Sequence, residues 1–375
     1  MVAPVTPPRN GEGDQPQAGG GGPTQKRRSA GPPPPPSGMS GSEQPPAVRS
    51  PSGGRATRSS PSPFRGGAKS RKIRTLAVSG GTGFVGSHLL RLALGAGYDV
   101  RALTRGWKPP EDEIAWVDGA LDRPEALLKL CTGADAVVHV AGAINAPSRA
   151  GFEAANVAGT ANMIDAARKA GVRRFVHISS LAAREPALSA YGWSKMRSEK
   201  LVAASGLDWT IVRPPAVYGP GDKETFELFK MARRGLVALP PKGRFSVIHV
   251  DDLCRLLLAL LDEPDTWGET YEPDDGREGG WEHRHFARTL GRLYGKRTGT
   301  IAVPKPVLRL AALADRAVRR GKAKLTPDRV GYFCHPDWVA AAERRPPAKL
   351  WQPEVKTPTG LKQTADWYRE QGWLR

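Results

Sequence analysis

One turn constrains this 375-residue chain more than any other stretch. Gly80-Gly81-Thr82-Gly83-Phe84-Val85-Gly86 follows a short apolar run, Ile73 to Ser79, and opens a helical stretch, Phe84 to Ala96, with Val85, Leu89, Leu92 and Ala93 on one stripe. Strand, tight glycine turn and helix in immediate succession is the start of a βαβ unit. Further strands are expected at Tyr98 to Thr104, Ala134 to Val140, Arg174 to Ile178 and Trp209 to Val212. Helices are expected at Pro124 to Leu130, Phe152 to Ala170 and Tyr191 to Ala204. The run Ala134-Asp-Ala-Val-Val-His-Val140 is nearly continuously apolar, as a strand covered on both faces must be. The alternation predicts an α/β fold with a doubly wound parallel sheet of the Rossmann type.

The rhythm breaks after Arg213-Pro214-Pro215. A Gly/Pro loop leads to a helix from about Thr225 to Arg234, a strand from Phe245 to Val250, and a helix from Leu253 to Leu261 with Asp252 placed to cap it. The expected division is therefore residues 73–262 for the nucleotide-binding domain, with a substrate-loop insertion at about 216–245, and 263–375 for a smaller C-terminal substrate lobe. Residues 1–72 hold 15 of the 35 prolines and one aromatic, Phe64, so they read as a disordered tail.

That tail carries 11 Lys/Arg against 3 Asp/Glu, about +8 of the net +19. Its densest cluster is only Lys26-Arg27-Arg28, without interleaved aromatics, so no specific nucleic-acid element is expected. Cys131, Cys254 and Cys334 are widely spaced and form no ligand pattern, so neither a metal site nor a disulfide scaffold is expected. No signal-peptide core or membrane span is legible, and the proline-rich tail is a poor transit helix; the expected location is the cytoplasm.

The glycines have a chemical reading. Gly80 and Gly83 let the backbone approach a pyrophosphate, Gly86 lets the helix pack on the sheet, and the phosphates meet the helix N-terminus. At the end of the second strand stands Arg105 instead of an acidic residue. An arginine there suits a 2′-phosphate, so NADP is expected, with NAD as the alternative. Tyr191 and Lys195 stand at i and i+4 on one helix face. A free phenol is a weak base at neutral pH, and lowering its pKa by ~3 units takes about 4 kcal/mol, which a nearby ammonium can provide. Ser179 and Ser180 close an apolar strand at its carboxyl end, and Ser180 is the preferred donor to a reacting oxygen.

Together these residues resemble the short-chain dehydrogenase/reductase superfamily in its extended, epimerase/dehydratase-like branch. The likeness also runs through Val138-His-Val-Ala141-Gly142, Asn156-Val-Ala-Gly-Thr160, Glu199, Arg213-Pro-Pro-Ala-Val-Tyr-Gly-Pro-Gly-Asp222 and His249-Val-Asp-Asp252, spanning residues 73 to about 262. The resemblance implies that Ser180 polarises, Tyr191 exchanges the proton and Lys195 activates the tyrosine. It implies that Gly80, Gly83, Phe84, Val85 and Gly86 cradle the pyrophosphate, that Ala141 and Gly142 line the adenosine side, and that Pro214 to Val217 flank the nicotinamide. Asn156 is expected to hold the helix to the sheet. The chain departs from the pattern at Gly119-Ala120-Leu121, where relatives often show Gly-Asp-Leu, so Asp118 is the remaining candidate for the adenine. Tyr191 follows Ser180 by only eleven positions, shorter than in many sugar-nucleotide epimerases.

The expected function is NADP-preferring hydride transfer between nicotinamide and a small-molecule alcohol or carbonyl, with reduction as the net direction. Trp281, Phe286, Tyr332, Phe333 and Trp338 would admit a hydrophobic ligand or simply form the lobe's core. The alternatives are a nucleotide-sugar epimerase or dehydratase with retained NAD, and a cofactor-binding accessory subunit. The resemblance makes a homodimer possible.

Overall fold

A computed structural model describes residues 73–106, 108, 113–319 and 325–374; the expected tail, residues 1–72, lies outside the described residues. β1 (Thr75–Ser79) enters the glycine turn and α1 (Phe84–Gly95) leaves it. β2 (Asp99–Thr104), β3 (Ile114–Asp118), α2 (Pro124–Cys131) and β4 (Ala136–His139) follow. A short α3 (Arg149–Phe152) then runs through a π segment, Glu153–Ala158, into α4 (Gly159–Lys169). β5 (Arg174–Ile178), α5 (Ala190–Ala203) and β6 (Asp208–Val212) complete the alternation, and after α6 (Phe226–Arg234) and α7 (Val250–Ala259) a last strand, Glu269–Tyr271, joins the sheet.

The sheet is parallel throughout, in the order Glu269–Tyr271, β6, β5, β4, β1, β2, β3. The chain builds outward from β1 to β3, then crosses back to start β4 on the other side. The strand order therefore reverses between β1 and β4, which opens a crevice at their carboxyl ends. Every residue of β4 and β5 is buried. α1 and α7 cover one face through Leu89, Leu90, Leu253 and Leu256. α2, α4 and α5 cover the other through Leu127, Leu130, Met163 and Val202. Each such leucine contributes about 2 kcal/mol by leaving water, and truncating the fully buried Leu127 to alanine is expected to cost about 3 kcal/mol.

The sheet outruns the expected boundary at residue 262. Glu269–Tyr271 pairs in parallel with β6, because Thr270 and Tyr271 register with Ile211 and Val212. A three-residue strand among acids and glycines leaves no periodic trace. β3 was also hidden, in Ile114-Ala-Trp-Val-Asp118. The lobe is likewise not a simple appendage. Its core joins Tyr218, Phe229 and Val237 from the insertion to Trp281, Phe286, Leu361 and Tyr368. It contains α8 (His283–Arg292), α9 (Lys305–Arg319), α10 (Pro327–Phe333) and α11 (Thr357–Glu370).

Asp252 does not cap α7. His249 does, accepting from the Asp251 N–H. Asp252 sits inside the first turn, buried, and its carboxylate accepts from the Glu354 and Val355 N–H groups, tying the lead-in of α11 to α7.

Candidate active site

The sequence-selected residues converge on one end of the sheet. Gly80 follows β1, Arg105 follows β2, Ala141 and Gly142 follow β4, Ser180 follows β5 and Pro214 follows β6. In a parallel sheet these are all carboxyl ends, and the β1–β4 reversal lies at their centre.

The glycine turn is closely packed. Gly80 has a φ of +78°, and a Cβ there would lie 2.6 Å from the Ala141 nitrogen, so only glycine lets β1 turn against the end of β4. A Cβ on Gly86 would lie 2.0 Å from the Gly80 carbonyl oxygen. Gly83 donates to that same oxygen at 3.0 Å and begins α1 in extended geometry, with no side-chain cap and no acidic residue in the first turn. The first N–H groups of this 12-residue helix, those of Phe84 and Val85 among them, thus face the crevice without a competing side chain. This is the electrostatic setting a pyrophosphate requires. Arg105 is exposed at the same end of the sheet. Beside the turn a cavity of about 590 Å³ is lined by Thr82, Arg91, Lys108 and Trp116 among others, with the Lys108 ammonium over the Trp116 ring.

α5 carries two of the candidate residues, Tyr191 and Lys195. Ser189 caps it, accepting from the Gly192 N–H, and Gly192 is needed because a Cβ there would lie 2.5 Å from the Ala182 carbonyl oxygen. The Ser180 hydroxyl lies close enough to the Tyr191 phenol to favour its ionised form. Ser179 points elsewhere and donates to Glu199 Oε1 at 2.5 Å. The two serines are thereby distinguished by their partners. Lys195 is 5% exposed and donates to the Ile178 carbonyl at 2.6 Å. Burial lowers its pKa to about 8, against an opposing pull from Glu199.

The tyrosine departs from the expected direction. Burial raises its pKa, the Ser180 hydroxyl and the Arg329 charge pull it down, and Glu224 pushes it up. In this arrangement Lys195 directs its protons to Ile178, and desolvation prevails over the charges facing the phenol. Phe152 and Tyr332 wall the phenol in, with ring centroids 5.9 and 6.3 Å away. Tyr332, Arg329 and Asp328 come from α10, and Asp328 Oδ1 accepts from the Ala190 N–H at 2.6 Å, docking α10 on the start of α5. Gly331 makes this contact close, since a Cβ would lie 2.4 Å from the Leu188 carbonyl oxygen.

Asn156 lies in the π segment. It accepts from the Ala143 N–H at 2.7 Å and donates to the Ala143 carbonyl and the Ser194 hydroxyl at 2.9 and 2.8 Å. The π bulge thus fastens the loop after β4 to α5. Behind the site, His139 and His177 stack at 5.3 Å. Burial and then the Lys195 charge lower both, His139 to about 3, so these imidazoles are neutral interior groups.

A largely buried ionic chain runs from α5 into the lobe. Glu199 accepts from Arg213 Nε and Nη2 at 2.8 and 2.7 Å, and Arg213 reaches Glu272 at 3.3 Å. Glu272, fully buried, also accepts from Arg184 at 3.2 Å and from the Ala341 N–H at 3.0 Å. Glu199 and Arg213 belong to the family-like motifs of the sequence, which do not reveal this ionic role. The sequence carries no signal for Glu272 or Arg329, and Tyr332, expected only as a lobe aromatic open to a ligand or to the core, becomes a neighbour of Tyr191 through the lobe's docking.

Fold and site define a nucleotide-binding Rossmann enzyme carrying a serine, a tyrosine and a lysine at the sheet's switch point. The description "NAD dependent epimerase/dehydratase family" matches residues 76–272, and the chain belongs to that family: it is an enzyme, an NAD(P)-dependent oxidoreductase or epimerase/dehydratase of the extended short-chain type. It is 36% identical over 310 residues to a ceramide reductase of Caulobacter vibrioides (strain NA1000 / CB15N), covering 80% of this chain and 96% of that protein. It is 27% identical over 262 residues to a UDP-glucose 4-epimerase of Vibrio cholerae, covering 62% and 79%. Among solved structures, MoeE5 in complex with UDP-glucuronic acid and NAD shares the fold, with a TM-score of 0.62 and 21% identity over 80% of this chain and 99% of that one. Among the described residues no helix is long and apolar enough to cross a membrane, and no cluster of metal-binding side chains occurs.

Proposed function

We propose that the chain is an NADP-preferring reductase that converts a carbonyl of a long-chain, ceramide-like lipid to an alcohol. The observation that carries this reading is the pairing of Tyr191 with Ser180 at the mouth of the crevice, with the phenol held protonated by burial. A tyrosine whose pKa is raised stays protonated at neutral pH, so the phenol is present as a proton source, and a forming alkoxide, a far stronger base than phenolate, can take that proton from it. A bound dihydronicotinamide would supply the hydride. Ser180 would donate to the substrate oxygen, Tyr191 would deliver its proton to it, and Lys195 would hold the nicotinamide ribose and favour reprotonation of the phenol. The first turn of α1, with Gly80, Gly83 and Gly86, would hold the pyrophosphate, and Ala141, Gly142 and Pro214 would flank the two ends of the dinucleotide.

Arg105, exposed just after β2, and Lys108, which lines the cavity beside the glycine turn, are cations suited to a 2′-phosphate, which supports NADP over NAD. The lipid class is supported by the 36% identity to the ceramide reductase across nearly its whole length. It is supported also by the apolar wall of Leu181, Trp338, Tyr332 and Phe152 around Tyr191. Titrating the purified protein with NADPH and NADH, with mass analysis of any copurified nucleotide, tests the assignment. The expected result is exchangeable binding at least tenfold tighter for NADPH. Stoichiometric, retained NAD would instead identify an epimerase-type cycle.

A further inference from the structure

Helix α9 is inverted relative to a helix that closes a core. Val307, Leu310, Leu313 and Val318 are 51, 67, 54 and 81% exposed, and Ala312 is the buried residue of the helix. At about 100° per residue, Val307, Leu310, Ala314 and Val318 share one narrow arc, with Ala312 opposite. The apolar stripe therefore faces outward along a rod about 22 Å long. Asp315 is engaged on its own side, bonded to Arg319 at 3.1 Å and accepting from the Leu325 N–H at 2.9 Å.

The charge beside the stripe has one sign. Residues 305–324 contain seven Lys/Arg and one acidic residue, Asp315. Arg309, Arg316 and Arg319 are exposed on the helix itself. Exposed Leu313 extends the apolar surface to within about 40–60° of Arg309 and Arg316, and an apolar face flanked on one side by basic side chains matches a bilayer interface, where the apolar groups enter the acyl boundary and the cations meet lipid phosphates. A second copy of this chain fits poorly, since the two helices would bring together like charges. Residues 1–72 also fit poorly, because they are positive and offer one aromatic.

We propose that α9 seats the protein peripherally on an anionic membrane surface. α10 follows α9 in the chain and carries Tyr332, the ring against Tyr191, so the docked helix lies one element from the wall of the active site. This inference rests on α9 alone and does not depend on the substrate assignment.

Vesicle flotation of the full chain tests it, using phosphatidylcholine alone or with about 30% phosphatidylglycerol. Binding is expected to be at least tenfold stronger to the anionic vesicles and to weaken steeply between about 50 and 500 mM salt. Leu310→Glu combined with Val318→Glu should reduce it about tenfold or more while leaving NADPH affinity unchanged, as should Arg309→Gln combined with Arg316→Gln. The N-terminal residues are identical in every arm. Equal vesicle binding by wild type and both variants would assign the binding elsewhere and overturn the proposal. Absence of binding to anionic vesicles would overturn it too. So would a wild-type dimer in sedimentation velocity that the leucine variant converts to monomer without loss of vesicle binding.

Discussion

Replacing Lys195 with methionine removes a charge from a site that disfavours it, and the consequence can be worked from the burial. The ammonium, held at about 8 instead of 10.5, costs the fold about 3 kcal/mol at neutral pH. Methionine removes that penalty but leaves the Ile178 carbonyl without its 2.6 Å donor, a loss of about 1–3 kcal/mol. The net change at pH 7 is therefore small, between zero and about 2 kcal/mol of stabilisation. The pH dependence is more telling. Between about 8 and 10.5 the unfolded lysine binds a proton that the folded one has released, so wild-type stability rises with pH across that window relative to the variant. The gap should move by roughly 1.4 kcal/mol per pH unit. Urea denaturation of both apoproteins at pH 7, 8, 9 and 10 measures it, and taking the difference removes the other titrating groups. A gap that does not change with pH would refute the depressed lysine.

Arg105→Ala should weaken NADPH at least tenfold and NADH by less than twofold in fluorescence titrations; equal losses would remove the 2′-phosphate role. Gly86→Val should abolish dinucleotide binding and lower stability by at least about 2 kcal/mol in urea, because even the first added carbon meets the Gly80 carbonyl oxygen. Glu272→Ala breaks a buried ionic chain, so a loss of about 3–5 kcal/mol is expected by calorimetry or urea. A loss below about 1 kcal/mol would show that the chain is not a structural tie.

The sheet was legible because its strands are buried on both faces and its helices keep a regular stripe. Arg174–Ile178 is the clearest case. What stayed hidden is short or conditional. Glu269–Tyr271 is stabilised by an edge that β6 provides, not by its own composition. The π segment around Asn156 reads as ordinary helix, since its residues, Glu153-Ala-Ala-Asn-Val-Ala158, are compatible with an α-helix. Around the site, the glycine turn, Ser180, Tyr191 and Lys195 were recognisable because chemistry fixes both residue type and spacing. The raised pKa of Tyr191 was not, because it follows from burial by Phe152 and by Tyr332, a residue 141 positions downstream. Long-range walls of that kind carry no local pattern.

The proposed acid role of Tyr191 is tested most directly by Tyr191→Phe, following NADPH oxidation with a long-chain N-acyl amino ketone. The phenol's ring and its packing against Phe152 and Tyr332 survive the change, while the proton is lost. Turnover should fall by about 10³-fold or more with NADPH affinity within twofold of wild type. A variant that keeps more than a tenth of the activity would contradict the assignment of Tyr191 as the proton donor.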